Sequence, residues 1–216
     1  KETLNEYFDE IRKGKPMILL GTQLLAKGHH FPNVTLVGIV DADSGLFSAD
    51  FRGSERVAQL MTQVSGRAGR DKKQGRVILQ SYCTDHPQIE EIISGSYERF
   101  AQKILEERKI SNIPPFSFQA KIFAESPKSL VSRDFILNLL NRSRIDERTR
   151  KNVRLVGPLP SIMEKKSGVY RWELSIFSKS RSNLHKFLDV MQSRLYDPKL
   201  SKQVRWSIDV DPLSSL

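Results

Sequence analysis

The 216 residues, 38% of them apolar, suffice for an ordinary packed core in one large domain or two small ones. A single cysteine, Cys83, excludes an internal disulfide and a zinc site built from cysteines within these residues, which fits a reducing compartment; no run approaches the roughly 18 apolar residues of a membrane-spanning helix. The net charge of +10 sits almost wholly in one half, since residues 1–110 carry 16 Lys and Arg against 15 Asp and Glu, while residues 111–216 carry 19 against 10. Concentrated positive charge is the footprint of a polyanionic partner such as nucleic acid, although soluble basic domains share it. The opening KETLNEYF has neither a signal-peptide core nor an initiator methionine, and we expect a piece of a longer chain.

In chain order, MILLG (Met17 to Gly21) and VTLVGIV (Val34 to Val40) are continuous apolar runs, the pattern of strands buried on both faces of a parallel sheet. SERVAQLMTQVSG follows, with Val57, Leu60, Met61 and Val64 at helical spacing and Ser54 as the expected N-cap. RVILQSY (Arg76 to Tyr82) reads as a third strand, and two helices separated near Gly95 run to about Lys109. Strands alternating with helices give an α/β layer, the back part of a doubly wound sheet, over residues 1–110.

SNIPPFS (Ser111 to Ser117) is the clearest boundary, because consecutive prolines cannot continue a helix. Beyond it, residues 111–216 form a second, basic domain of α+β class. Phe118, Ala120, Ile122 and Ala124 alternate along a strand; a helix spans about Ser129 to Asn141; strands carry Val153 and Leu155, then Tyr170, Trp172, Leu174 and Ile176. A helix with Leu184, Phe187, Leu188, Met191 and Leu195 and a strand with Val204, Trp206, Ile208 and Val210 complete a β-α-β-β-α-β order, that of a ferredoxin-like sandwich. The alternation turns both tryptophans inward and gives the second sheet face Lys121, Phe123, Arg154, Arg171 and Arg205, expected to be solvated or packed on the first domain. The turn in EKKSGVYR (Glu164 to Arg171) lets Lys165 and Lys166, with Arg171, reach a phosphate backbone.

Two stretches of the first half carry candidate chemistry. QVSGRAGR contains two glycines that weaken a helix but suit a turn, and it presents Arg67 and Arg70 as two guanidinium forks. Gln59, Gln63, Arg67 and Arg70 follow one another around one helix face, which periodicity alone also reads as an exposed salt-bridge stripe. In ILLGTQLLAKGHHFPNV a strand delivers Gly21 at its end, where α/β proteins place ligands; Thr22, Gln23 and Lys27 offer a hydroxyl, an amide and an ammonium, and Gly28 allows close backbone approach.

Together, GTQLLAKGHHFPNV and DFRGSERVAQLMTQVSGRAGR resemble motifs five and six of superfamily 2 helicases. The wording GTQLLAKGHHFPNVTLV with LFSADFRGSER, continued by IPPFSF, LVGPLP and WSIDVDP, resembles the family of bacterial primosomal helicases over essentially the whole chain. The resemblance implies a 3′ to 5′ DNA helicase driven by ATP and Mg²⁺ that recognises stalled or repaired forks and restarts replication by loading the replicative helicase. It implies a cytoplasmic, nucleoid-associated bacterial protein with no membrane role. Residues 1–110 would be the later part of the second RecA-like lobe, and residues 111–216 a DNA-binding domain likened to a ribosomal-protein fold.

Carried onto this sequence, the resemblance places Gln63, Arg67 and Arg70 at the nucleotide, the arginines stabilising charge on the transferring phosphoryl group. It assigns Thr22, Gln23, Lys27 and Gly28 to DNA, and Arg181 to the acidic tail of the single-stranded DNA-binding protein. His30 stands where such helicases often carry aspartate, and His185 stands where glutamine is expected. The 216 residues contain no G-x-x-x-x-G-K-[ST] loop and no acidic Mg²⁺ motif, and the family's zinc segment is expected upstream, so these residues by themselves are expected not to turn over ATP. No metal ligand is assigned here. The competing readings are a stand-alone nucleic-acid-binding module and a docking module for acidic peptides.

Overall fold

The first strand, β1 (Leu36–Ile39), pairs in parallel with β2 (Arg76–Leu79), Leu36 opposite Arg76 and Ile39 opposite Leu79. The computed structural model that shows this describes residues 16–21, 34–65, 75–94, 96–142, 146–195 and 203–213. The chain divides into two compact units between Ile104 and Leu105.

In the first unit the apolar runs behave differently from the expectation of strands covered on both faces. Ile39, Val77 and Leu79 pack onto a core of Ala42, Leu46, Val57, Ala58, Met61, Ile89, Ile92, Phe100 and Ile104. Leu36, Val40 and Ile78 stay exposed, because helices line only one face of this ribbon among the described residues. Met17–Gly21 forms no strand and is exposed throughout; no described strand pairs with it.

The core's other side comes from α1 (Asp43–Leu46), α2 (Gly53–Ser65), α3 (Pro87–Ile93) and α4 (Tyr97–Ser111). Helix α2 starts at Gly53, so Ser54 lies within its first turn and is not its cap. The buried Asp50 organises this start instead: its carbonyl accepts from Gly53 N at 2.7 Å, its carboxylate from Arg52 N at 3.1 Å, and it pairs with Arg56 at 2.9 Å. Glycine is required at position 53, where any Cβ would collide with the carbonyl oxygen of Gly45. Helix α4 runs two residues past its expected end, and Asn112 then turns the backbone at φ 49° ahead of the prolines.

The second unit is a four-stranded antiparallel sheet in the order β4-β5-β3-β6, built from β3 (Phe118–Ser126), β4 (Arg154–Lys166), β5 (Val169–Ser178) and β6 (Arg205–Val210). Helices α5 (Ser129–Arg142) and α7 (Arg181–Leu195) cover one face. Ala120, Ile122, Ala124, Leu174 and Ile176 of the sheet are fully buried against Ile136 and Leu139 of α5 and Phe187, Met191 and Leu195 of α7. Both tryptophans pack on this core as expected, and Trp172 Nε1 donates to Ser129 Oγ at 2.9 Å. A short helix absent from the sequence reading, α6 (Glu147–Lys151), is capped by Asp146, whose carboxylate accepts from Thr149 N at 2.8 Å.

Candidate nucleotide and nucleic-acid interfaces

In the first unit, parallel strands end side by side, and the loops beyond them are tied by one carboxylate. Asp43, in the first turn of α1, accepts from Ser81 Oγ at 2.6 Å and from Tyr82 N at 2.7 Å. The Ser81 hydrogen bond, followed by the Tyr82 amide, holds the Asp43 carboxyl below the usual carboxylate range. Ala42 N adds a bond to the Gln80 carbonyl at 3.1 Å, so the two strand ends are laced together. Sequence reasoning missed Asp43; the signal that marks it is an acidic pair, Asp41 and Asp43, just past the end of β1.

Gln63 stands exposed in the last turn of α2. One helical turn earlier, Gln59 donates to Glu55 at 3.1 Å and to the Tyr97 hydroxyl at 3.3 Å. Arg67, Arg70 and the glycines beside them lie outside the described residues, as do Thr22, Gln23, Lys27, Gly28 and His30.

In the second unit the uncovered sheet face is not a field of free cations. Lys121 and Phe123 are buried, correcting the expectation of a solvated face, because Lys121 Nζ meets Glu173 Oε1 at 2.7 Å with both side chains largely out of water. Arg171 is likewise held: its Nε donates to Glu125 Oε1 at 2.8 Å. Arg154 donates to the carbonyls of Ser111 and Asn112 at 3.2 Å and lies 4.7 Å from the Phe177 ring centre. Arg205 is exposed, with Glu125 opposite it in register. Sequence alternation assigned these residues to the correct face but gave no sign of their acidic partners, which come from other strands.

The hairpin is different. Strands β4 and β5 turn at Ser167 and Gly168, both at positive φ, and Lys165 and Lys166 lead into that turn exposed to solvent. Lys165 Nζ hovers 4.8 Å from the Tyr170 ring centre, a contact that steadies the side chain without taking up its charge. At the other end of β5, Arg181 opens α7; its Nη1 meets Asp211 Oδ2 at 3.0 Å while its guanidinium lies 4.7 Å from the Phe118 ring centre, and His185 is exposed one turn on.

Among the described residues no helix is long and apolar enough to cross a membrane, and no group of three or more His, Cys, Asp or Glu is placed to hold a metal. Residues 1–72 match the helicase conserved C-terminal domain, and residues 109–213 match the primosomal protein N C-terminal domain. Replication restart protein PriA of Haemophilus influenzae is 44% identical over 213 residues, covering 98% of this chain and 28% of that protein. The protein of the same name from Rickettsia conorii is 40% identical over 197 residues, 91% of this chain and 29% of its own length; that of Bacillus subtilis is 36% identical over 203 residues, 93% and 25%. The chain thus spans between a quarter and three tenths of the length of these relatives.

Proposed function

Because the chain belongs to the PriA replication-restart family and matches its helicase C-terminal and primosomal C-terminal domains in succession, we propose that it is the C-terminal part of an ATP-dependent 3′ to 5′ DNA helicase that recognises replication forks and assembles the primosome on them. The observation that carries this reading is the similarity running across both units in one chain. The first unit supplies one side of the nucleotide site and the second supplies DNA contact. ATP with Mg²⁺ is the fuel of the full-length protein, and its zinc is bound outside these residues.

The chemistry of the residues suits that assignment. Gln63 at the open end of α2 can hydrogen-bond a nucleotide, and Arg67 and Arg70, following in sequence, provide the bidentate cations that a polyphosphate binds. Thr22, Gln23, Lys27 and Gly28 contact the DNA strand from the same unit. The antiparallel sheet order β4-β5-β3-β6 with two helices on one face supports a ferredoxin-like reading of the second unit. In that unit Lys165 and Lys166 reach the phosphate backbone, while Arg171, held by Glu125, positions the base of their hairpin.

A second interaction is favoured by Arg181, which already holds a carboxylate, that of Asp211, above an aromatic ring. The acidic tail of the single-stranded DNA-binding protein would exchange for Asp211 there. Other primosome proteins and the replicative helicase are the remaining partners of the full-length protein.

Forked DNA labelled for fluorescence anisotropy, titrated with the 216-residue chain from low to moderate salt, tests the DNA reading. Saturable binding that weakens steeply with salt is expected, and Lys165→Ala with Lys166→Ala should flatten the log–log salt slope by about 2, near one unit per lost phosphate contact. An unchanged slope removes the hairpin from the DNA site. Absence of binding leaves the basic unit as an acidic-peptide docking module.

A further inference from the structure

The hairpin that carries Lys165 and Lys166 also carries apolar side chains that the sheet throws outward. Along β4 and β5, Pro160 faces Trp172 and Lys165 faces Tyr170, so β4 takes five steps where β5 takes two. Four residues, Ser161 to Glu164, thus lie opposite the single Arg171, a bulged irregularity of the kind that re-aims side chains out of the ladder. Ser161 turns in and is buried, whereas Ile162 and Met163 stand 54% and 42% exposed, within four residues of both lysines.

An exposed apolar pair on an edge strand invites pairing with another strand, but β4 is built against it. Pro158 and Pro160 lack N–H donors, and a second register break between Val156 and Leu159 interrupts the edge again. The base of the hairpin is pinned, by Trp172 bonded to Ser129 on one sheet face and by Arg171 bonded to Glu125 on the other. The arm, pinned at its base, therefore presents two exposed apolar side chains beside two exposed ammonium groups, with Glu164 the one acid between them.

We propose that Ile162 and Met163 form a wedge that inserts against the exposed base pair at the branch point of a nucleic acid, while Lys165 and Lys166 hold the flanking phosphates. This rests on the DNA-binding reading of the hairpin given above. Apolar side chains inserted between base steps cost unstacking energy, and that cost is smallest where the stack is already interrupted, so the wedge itself selects a branch over continuous duplex. The lysines alone do not discriminate between the two, because phosphate contacts carry position but little structural information.

A fork with 2-aminopurine at the branch point reads the wedge directly, alongside anisotropy on the same fork and on matched duplex. The parent 216-residue chain should raise the 2-aminopurine fluorescence on binding. Ile162→Ala with Met163→Ala should abolish that rise and weaken fork binding about tenfold, leaving duplex binding and the salt slope unchanged. Ile162→Leu with Met163→Leu should keep both the rise and the affinity. Equal losses on fork and duplex, or leucine variants as defective as alanine ones, overturn the wedge. Fork binding and fluorescence that the alanine pair leaves untouched overturn it alone; failure of the parent chain to bind either DNA removes the DNA reading and the wedge together.

Discussion

The two units bury their sheets in different ways. In the first, among the described residues, two parallel strands are covered on one face, and Leu36, Val40 and Ile78 on the other are exposed. In the second, four antiparallel strands are covered by α5 and α7 on one face, and even the opposite face buries Lys121 and Phe123. In the first unit the described loops beyond the strand ends are laced together by Asp43, Ser81 and Tyr82. The second encloses its own core, and among its described residues several cations of the sheet are held by acids while Lys165 and Lys166 stand exposed.

Substitutions can divide the two units along that line. The largest effect is expected from Arg67→Ala in the full-length protein, which should lower ATP turnover by about 10³-fold or more while fork affinity stays within about twofold, as steady-state hydrolysis and anisotropy together would show. Joint loss of both would mean that the residue supports folding and that the units are not functionally separable. A smaller effect, on stability alone, is expected in the second unit. Lys121→Met strands the Glu173 carboxylate in a largely buried site and should cost about 3–5 kcal/mol in urea unfolding, with most of the loss recovered when Glu173→Met is added. If the double variant is no better than the single one, the pair is not the reason for the cost.

The smallest effect concerns acid. Asp43 has a folded pKa below its ordinary 3.8, so its bonds to Ser81 and Tyr82 stabilise the first unit above that value and are lost as pH falls through the lowered pKa. Amide exchange at Tyr82 should accelerate below about pH 4 relative to amides of β3, and Asp43→Asn should remove the difference. Protection at Tyr82 that ignores pH would take Asp43 out of the link between the strand ends.

Much of the second unit was legible because its strands alternate: Ala120, Ile122 and Ala124 face the core, and so do Trp172 and Trp206. The Ser-Gly turn exposed the hairpin for the same local reason. What stayed hidden was non-local. Lys121 reads as a solvent residue until Glu173, 52 positions away, is seen beside it, and Arg171 and Arg181 read as free cations until Glu125 and Asp211 arrive from other elements. The bulge is invisible in β4 itself, since an extra residue exists only relative to a partner strand. In the first unit two of the three apolar runs form strands, and among the described residues only one face of them is covered, because hydrophobicity says that a strand wants cover and not what provides it.

The Lys121–Glu173 pair has a consequence for how the sheet finds its pairing. Side chains alternate, so a slip of β3 by one residue would carry Lys121 onto the face occupied by Ile122 and Ala124 and drive its ammonium into a hydrocarbon layer without its carboxylate. Every odd misalignment of the strand is thereby penalised by a charge as soon as the helices close over that face. The pair therefore adds an electrostatic penalty to the one the displaced Ala120, Ile122 and Ala124 already impose, so that both faces of the sheet report the same misalignment.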